Sequence, residues 1–180
     1  MQATYGQTQI RWLEEAELKA LFELSGPYRL LFETMYFYGL RRGEPGLLKR
    51  SDIDGDTLWV SRLKRREGFR HALPLVGKLK KKLVHIETDH LFPGYGGSGM
   101  TGSAVAKAWS NIVHKSGMFR YQDQPSAHCL RHSCAMRFSN KGISIEFAKF
   151  WLGHASVRST EVYYDISANR AMEIALALGQ

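Results

Sequence analysis

Cysteine is scarce in this sequence: Cys129 and Cys134 are the only two in 180 residues. They stand five apart on one predicted helix, which excludes a disulfide framework and reads as reduced intracellular thiols. Long hydrophobic runs are missing too. None approaches the roughly 18 residues of a membrane-spanning helix. Residues 1–9 are polar and lack the apolar stretch of a secretory signal. The Gly-rich segment 93–99 is not followed by Gly-Lys-Ser/Thr, so it is not a phosphate-cradling nucleotide loop. There is no internal repeat. Acids are nearly absent from residues 62–82, where nine basic residues face the single acid Glu67. The other 159 residues balance, 16 basic against 16 acidic, so the net charge of +8 resides in that one stretch.

What is present is a soluble globular composition, 44% hydrophobic, in a chain long enough for one domain with a real core. A concentrated basic field suits a polyanion, most often nucleic acid, and charge alone fits a solvated basic face equally well. Residues 12–25 predict an amphipathic helix on Leu13, Ala16, Leu21 and Leu24. Gly26-Pro27 breaks it, and Pro27 suits the first turn of the next helix. That helix, 28–40, is apolar nearly all round and belongs at the centre of the core, with Tyr36 and Tyr38 packed there. Residues 44–49 predict a short helical turn. Asp54-Gly55-Asp56 is a turn signal between short strands. Residues 57–63 and 69–76 predict two further strands, joined by the charged hairpin 64–68. A basic helix follows at 77–86, then a mobile Gly-rich loop at 90–102. Further helices are expected at 103–116, 127–140 and 143–152, a short one at 158–164, and a last one at 168–178 capped by Ser167. The fold class is α+β, mainly helical, with a small antiparallel three-stranded sheet.

The stretch His128-Cys129-Leu130-Arg131-His132 concentrates the chemistry. On a helix, positions 128, 131 and 132 share one face. Two imidazoles and a guanidinium together suit a phosphate, which a guanidinium grips through two parallel hydrogen bonds. Other sites gain meaning beside it. Arg41 ends the buried helix, with Glu44 three residues on to orient it. Lys64 lies at a hairpin tip. His154 follows Leu152-Gly153, and Tyr163 and Tyr164 come nine and ten residues later. Taken singly, each has a plain reading as a surface pair, a solvated lysine, a loop histidine or a packing tyrosine. Taken together, two arginines can hold phosphodiester oxygens, a lysine or histidine can protonate a leaving oxygen, and a tyrosine can take the phosphate covalently.

Three blocks resemble the tyrosine recombinases, the phage integrase family: Gly39-Leu40-Arg41-Arg42-Gly43-Glu44, His128-Cys129-Leu130-Arg131-His132, and Leu152-Gly153-His154 followed by Tyr163. Their order, and the basic hairpin between the first two, also match over nearly the whole chain. The resemblance implies that Arg41, Arg131 and His154 hold a scissile DNA phosphate. It makes Lys64 the general acid and Tyr163 the nucleophile, giving a 3′-phosphotyrosyl link. His128 would help to move the tyrosine proton. Glu44 would support Arg41, and His132 would be a helix-stabilising neighbour. Arg62, Arg65, Arg66, Arg70, Lys78, Lys80, Lys81 and Lys82 are the expected DNA contacts. No cofactor or metal is implied. The implied partners are double-stranded DNA and further copies of the chain, as a dimer or tetramer on DNA, in the cytoplasm with the nucleoid and away from membranes. One departure is Tyr38, where many relatives have threonine. The expected organisation is a tail (1–10), a catalytic domain (11–166) and a C-terminal helix (167–180) that either packs on its own domain or docks on a neighbouring subunit. Most relatives carry a separate DNA-binding domain before the catalytic one, so this is either a short member or a catalytic fragment, with weaker DNA affinity expected.

Three alternatives are weighed against a DNA strand transferase. A silent DNA-binding regulator would have lost a member of the set, and none is missing. A type IB topoisomerase-like nicking and closing activity shares the same chemistry. A zinc hydrolase on His128 and His132 is disfavoured by Cys129 in place of glutamate, by the cationic Arg131 and by the lack of a nearby carboxylate.

Overall fold

The computed structural model describes residues 2–5, 8–63, 69–117, 119 and 124–178. Within the expected tail, 1–10, and its junction, β1 (Gln2–Tyr5) pairs antiparallel with β2 (Thr8–Arg11), with Gln2 opposite Arg11. Ile10, Trp12 and Leu13 at the base of this hairpin are buried. This apolar anchor follows a polar start and gives the hairpin a surface to fold against. Helix α1 (Glu15–Leu24) begins where the Glu17 carboxylate accepts the backbone N–H of Glu14 at 2.8 Å. It buries Leu18, Leu21 and Phe22. A 3-10 turn, Gly26–Tyr28, carries Pro27 and leads into α2 (Arg29–Tyr38). Leu31, Phe32, Met35 and Tyr38 of α2 are in the core, as its all-round apolarity predicts.

The expected turn after α2 is a 3-10 segment, Pro45–Leu47, and a second one follows at Arg50–Asp52. Then β3 (Ile53–Asp54), β4 (Thr57–Ser61) and β5 (Arg70–Pro74) make one antiparallel sheet in that order. Asp54 pairs with Thr57 across the Gly55 turn, and Ser61 pairs with Arg70. Leu58, Val60, His71 and Leu73 point inward while Trp59 and Arg70 point outward, the alternation of a half-buried sheet. The charged hairpin 64–68 lies outside the described residues. Basic helix α3 (Gly77–Leu83) anchors through Leu79 and Leu83. Helix α4 (Gly102–Ser116) is capped by the Thr101 hydroxyl, which accepts from the Ala104 N–H at 3.2 Å.

Helices α5 (Cys129–Asn140), α6 (Ile145–Leu152) and α7 (Arg158–Leu178) complete the chain, and α5 packs against α2, α6 and α7. The architecture is thus mainly helical with a small three-stranded sheet. One expectation fails at the end of the chain: the two helices foreseen at 158–164 and 168–178 are one continuous helix. Asp165-Ile166-Ser167 contains neither glycine nor proline to break it. Ser167 is not a cap, and its hydroxyl donates to Asn140 Oδ1 at 2.5 Å. Among the described residues no helix is long and apolar enough to cross a membrane.

Candidate active site

Two helix ends build the floor of the site. Helices α2 and α6 both stop at a glycine in the left-handed region, Gly39 (φ 57°) and Gly153 (φ 67°). A helix C-terminus leaves carbonyls unpaired and carries partial negative charge. Arg131, on α5 and only 2% exposed, satisfies both ends. Its Nη1 donates to the Gly39 carbonyl, and its Nη2 donates to the Leu152 carbonyl at 2.8 Å. Those bonds use two of the five N–H donors of a guanidinium. Burial, then Arg41 and Arg62, push Arg131 down to about 9, so it stays charged at neutral pH.

A second layer is organised by Glu44, which is fully buried. Its Oε1 accepts from Arg41 Nη1 at 3.0 Å and its Oε2 from the Arg41 backbone N–H at 2.9 Å. Oε2 also accepts from Arg62 Nη1 at 2.9 Å. Burial opposes the charge of Glu44, but Arg62, Arg41 and Arg131 outweigh it and hold its carboxyl below the ordinary range. Glu44 therefore holds Arg41 as the sequence suggests. Arg62 corrects the sequence reading. Expected on DNA, its side chain is wholly buried and also donates through Nη2 to the carbonyls of Tyr38 (3.1 Å) and Trp151 (2.5 Å). A charge so enclosed is held by a carboxylate and two helix ends, with no surface to offer a DNA backbone. Gly153 lies against it, and a Cβ there would stand 2.9 Å from Arg62 Cγ.

His154 follows α6 and is 8% exposed. Its Nδ1 is 2.8 Å from the Thr160 hydroxyl of α7. Burial, then Arg131, Arg41 and Arg62, push it down to about 3, so it is neutral. With Thr160 donating to Nδ1, the tautomer places its proton on Nε2, free to donate to an anion. Thr160 was not singled out from the sequence. Its only signal is its place six residues after His154.

Tyr163 lies on α7, 5% exposed. Burial pushes its phenol up to about 12 against the field of Arg131 and Arg41. Its hydroxyl is 2.7 Å from His132 Nδ1. His132, expected only as a helix-stabilising neighbour, thus touches the expected nucleophile directly. His128 sits edge-on to it with ring centroids 4.7 Å apart. Tyr164 turns the other way, and its hydroxyl donates to the Ile143 carbonyl at 2.5 Å. The structure therefore gathers Arg41, Glu44, His128, Arg131, His132, His154 and Tyr163 around the joined ends of α2 and α6. Lys64, Arg65 and Arg66 lie outside the described residues.

The other basic residues are at the surface. Arg70 pairs with Asp52 and lies over the Trp59 ring. Lys80 pairs with Asp56, and Lys82 with Glu33. Lys78 and Lys81 are exposed on α3. Among the described residues no three His, Cys, Asp or Glu side chains gather to hold a metal ion.

Comparison with known proteins agrees with this arrangement. The tyrosine recombinase XerC of Halalkalibacterium halodurans is 28% identical over 162 residues, covering 81% of this chain and 52% of the relative. The chain thus spans about half the length of that curated relative. A crystal structure of the XerH site-specific recombinase bound to palindromic difH substrate, a post-cleavage complex, superposes with a TM-score of 0.72 at 25% identity. It covers 94% of this chain and 54% of that one. The XerA recombinase gives a TM-score of 0.74 at 26% identity, covering 91% of this chain and 62% of that one. Residues 11–170, which include every gathered side chain, match the phage integrase family, and the chain belongs to that family.

Proposed function

We propose that this chain is the catalytic part of a site-specific DNA recombinase that cuts and rejoins strands through a 3′-phosphotyrosyl intermediate. The observation that carries the reading is the pairing of a buried tyrosine with a buried cationic floor. The Tyr163 hydroxyl faces inward, in the field of Arg131 and Arg41, while Tyr164 is engaged elsewhere. Arg41, Arg131 and the Nε2 proton of His154 hold the non-bridging oxygens of the scissile phosphate. They stabilise the charge that builds as phosphorus becomes five-coordinate. Tyr163 Oη attacks, the P–O5′ bond breaks, and Lys64 protonates the departing 5′ oxygen. The phosphotyrosyl link keeps the energy of the broken bond, so a 5′-hydroxyl from another strand can reverse the step. The arginines and the lysine supply the positive charge, so the step needs no metal ion.

The partner is double-stranded DNA, held by the exposed Lys78 and Lys81 of α3 together with Arg65, Arg66, Arg70, Lys80 and Lys82. The surface ion pairs of the last three are individually weak and can be exchanged for phosphates. Two or four copies act together on one DNA, in the cytoplasm. The named XerH relative is a recombinase seen on its DNA after cleavage, which supports the strand-transfer reading over a silent binding module.

The test uses a pool of nicked duplexes with randomised arms, in which cleavage releases a short strand and traps the protein. With chelator present, wild type is expected to form an SDS-resistant adduct from which the preferred site is sequenced. Absence of any adduct from the whole pool would overturn the enzymatic reading, and an adduct abolished by chelator would point to metal chemistry.

A further inference from the structure

His132 has a partner that its expected supporting role does not require. Its ring nitrogen Nδ1 lies 2.7 Å from the Tyr163 hydroxyl. Both groups are largely enclosed, since Tyr163 is 5% exposed and His132 is partly buried. A phenol is the stronger donor of the two and a neutral imidazole nitrogen the stronger acceptor. The O–H therefore points at Nδ1, and the ring carries its own proton on Nε2. The groups that set the ring's charge are His128 and Arg131 on α5 and Tyr163 on α7. Arg41, in the turn after α2, acts on Tyr163 and Arg131. From β2, Arg11 lies towards Cys129 and is paired with Glu17 at 2.6 Å. At the ends of α2 and α6 the Gly39 and Leu152 carbonyls are both taken by Arg131.

We propose that His132 is the proton acceptor for Tyr163, taking the hydroxyl proton on Nδ1 as Oη attacks phosphorus. The inference rests on the strand-transfer reading above. The O–H bond breaks and an N–H bond forms at Nδ1. Oη bonds to phosphorus, the P–O5′ bond breaks, and the 5′ oxygen leaves with a proton from Lys64. On rejoining, Nδ1 returns its proton to the departing phenolate oxygen. At rest the imidazole is a weak base, because burial and then His128 and Arg131 disfavour its cation. Two changes reverse this during the reaction. The bound phosphodiester offsets the field of Arg131, and the phenolic proton becomes acidic as the Oη–P bond forms. The transfer therefore occurs late, with bond formation. His128, edge-on to His132, is a neighbour whose dipole and charge tune the acceptor.

The experiment follows single-turnover adduct formation on the nicked duplex selected above, from pH 5.5 to 9. Asparagine is the informative substitution, because its Oδ1 occupies the place of Nδ1 and accepts a hydrogen bond but takes no proton. His132→Asn is expected to lower the rate by roughly 100-fold across this pH range, the usual size of a general-base contribution. The deficit should persist on a duplex with sulfur in place of the bridging 5′ oxygen, since a thiolate leaves without an acid. Free imidazole should restore part of the activity of His132→Ala. His132→Asn within about threefold of wild type would overturn the proposal. So would a deficit that vanishes on the sulfur substrate, which would make His132 an acid. If His132→Asn is misfolded by circular dichroism, the imidazole arm decides, and no rescue overturns the proposal. Tyr163→Phe is the separate control, because an adduct from that variant would sink the strand-transfer reading itself.

Discussion

Arg131 and Arg62 are fixed because each guanidinium satisfies backbone carbonyls that helix ends leave open. Removing Arg62 leaves the Tyr38 and Trp151 carbonyls unpaired and takes from Glu44 one of its two arginine partners. Arg62→Met is expected to destabilise the fold by about 3–5 kcal/mol in urea unfolding, far beyond what loss of a DNA contact would do. A small change in stability with a loss of DNA affinity would restore the surface reading of Arg62. Thr160 holds the His154 ring in place through its contact with Nδ1. Thr160→Val deletes one hydrogen bond of about 1 kcal/mol and is expected to slow adduct formation several-fold at unchanged DNA affinity. An unchanged rate would remove Thr160 from the site. At this scale the sequence was partly legible. Glu44 three residues after Arg41 follows from spacing along a turn, whereas Tyr163 over Tyr164 came only from the family resemblance. The burial of Arg62 follows from neither, because Arg62-Leu63-Lys64-Arg65-Arg66 has the composition of a solvated charge run. Its carboxylate partner lies 18 residues away in sequence, a distance that local pattern does not report.

At the scale of elements, the site depends on how α2 and α6 end. Gly153 combines a left-handed backbone with close contact to Arg62. Gly153→Ala is expected to cost more than about 1 kcal/mol and to lower the cleavage rate, because it moves both Arg62 and His154. A neutral effect in thermal unfolding would contradict the contact. Glycine-ended helices are readable from sequence, and Gly153, directly after the helix expected at 143–152, is such a case. The single helix α7 is not. A serine before an alanine-rich segment imitates a cap, and only the absence of a breaker between Tyr164 and Ala168 argues against it. The N-terminal hairpin was hidden for a related reason: its residues are mostly polar, with Ile10 the exception, and Trp12 and Leu13, which complete its anchor, come after it. Among the described side chains of α7, Thr160, Tyr163 and Ile166 are the buried ones while Ala168, Asn169, Ala171 and Met172 are exposed, so deletion of residues 168–180 is expected to leave the melting temperature within a few degrees. The same deletion should weaken assembly of several copies on DNA in gel shifts. A truncated chain that fails to fold would contradict this division.

For the whole molecule, the buried histidines make stability pH-dependent. His132 and His154 both lie at about 3 in the fold, against an ordinary value near 6.5. Between those limits the unfolded chain binds protons that the folded chain refuses, so stability falls as pH falls. The slope is up to about 1.4 kcal/mol per pH unit for each histidine. Urea midpoints at pH 7 and pH 5 should therefore differ, and His154→Gln should flatten the dependence. A midpoint that rises on acidification would contradict the burial of these rings. The charge balance has its own readout, since a lysine on α3 that meets a phosphate should reduce the salt slope of DNA binding by about one when removed. Composition and helix spacing made the fold class legible. The site needed the fold, because the Gly39 and Leu152 carbonyls that hold Arg131 come from two helices about a hundred residues apart in sequence.

Whether Tyr163 carries the DNA is decided by comparing Tyr163→Phe with Tyr164→Phe on the selected nicked duplex, with chelator present. No SDS-resistant adduct is expected from Tyr163→Phe and a near-normal yield from Tyr164→Phe. An adduct that survives Tyr163→Phe and disappears with Tyr164→Phe would contradict that assignment.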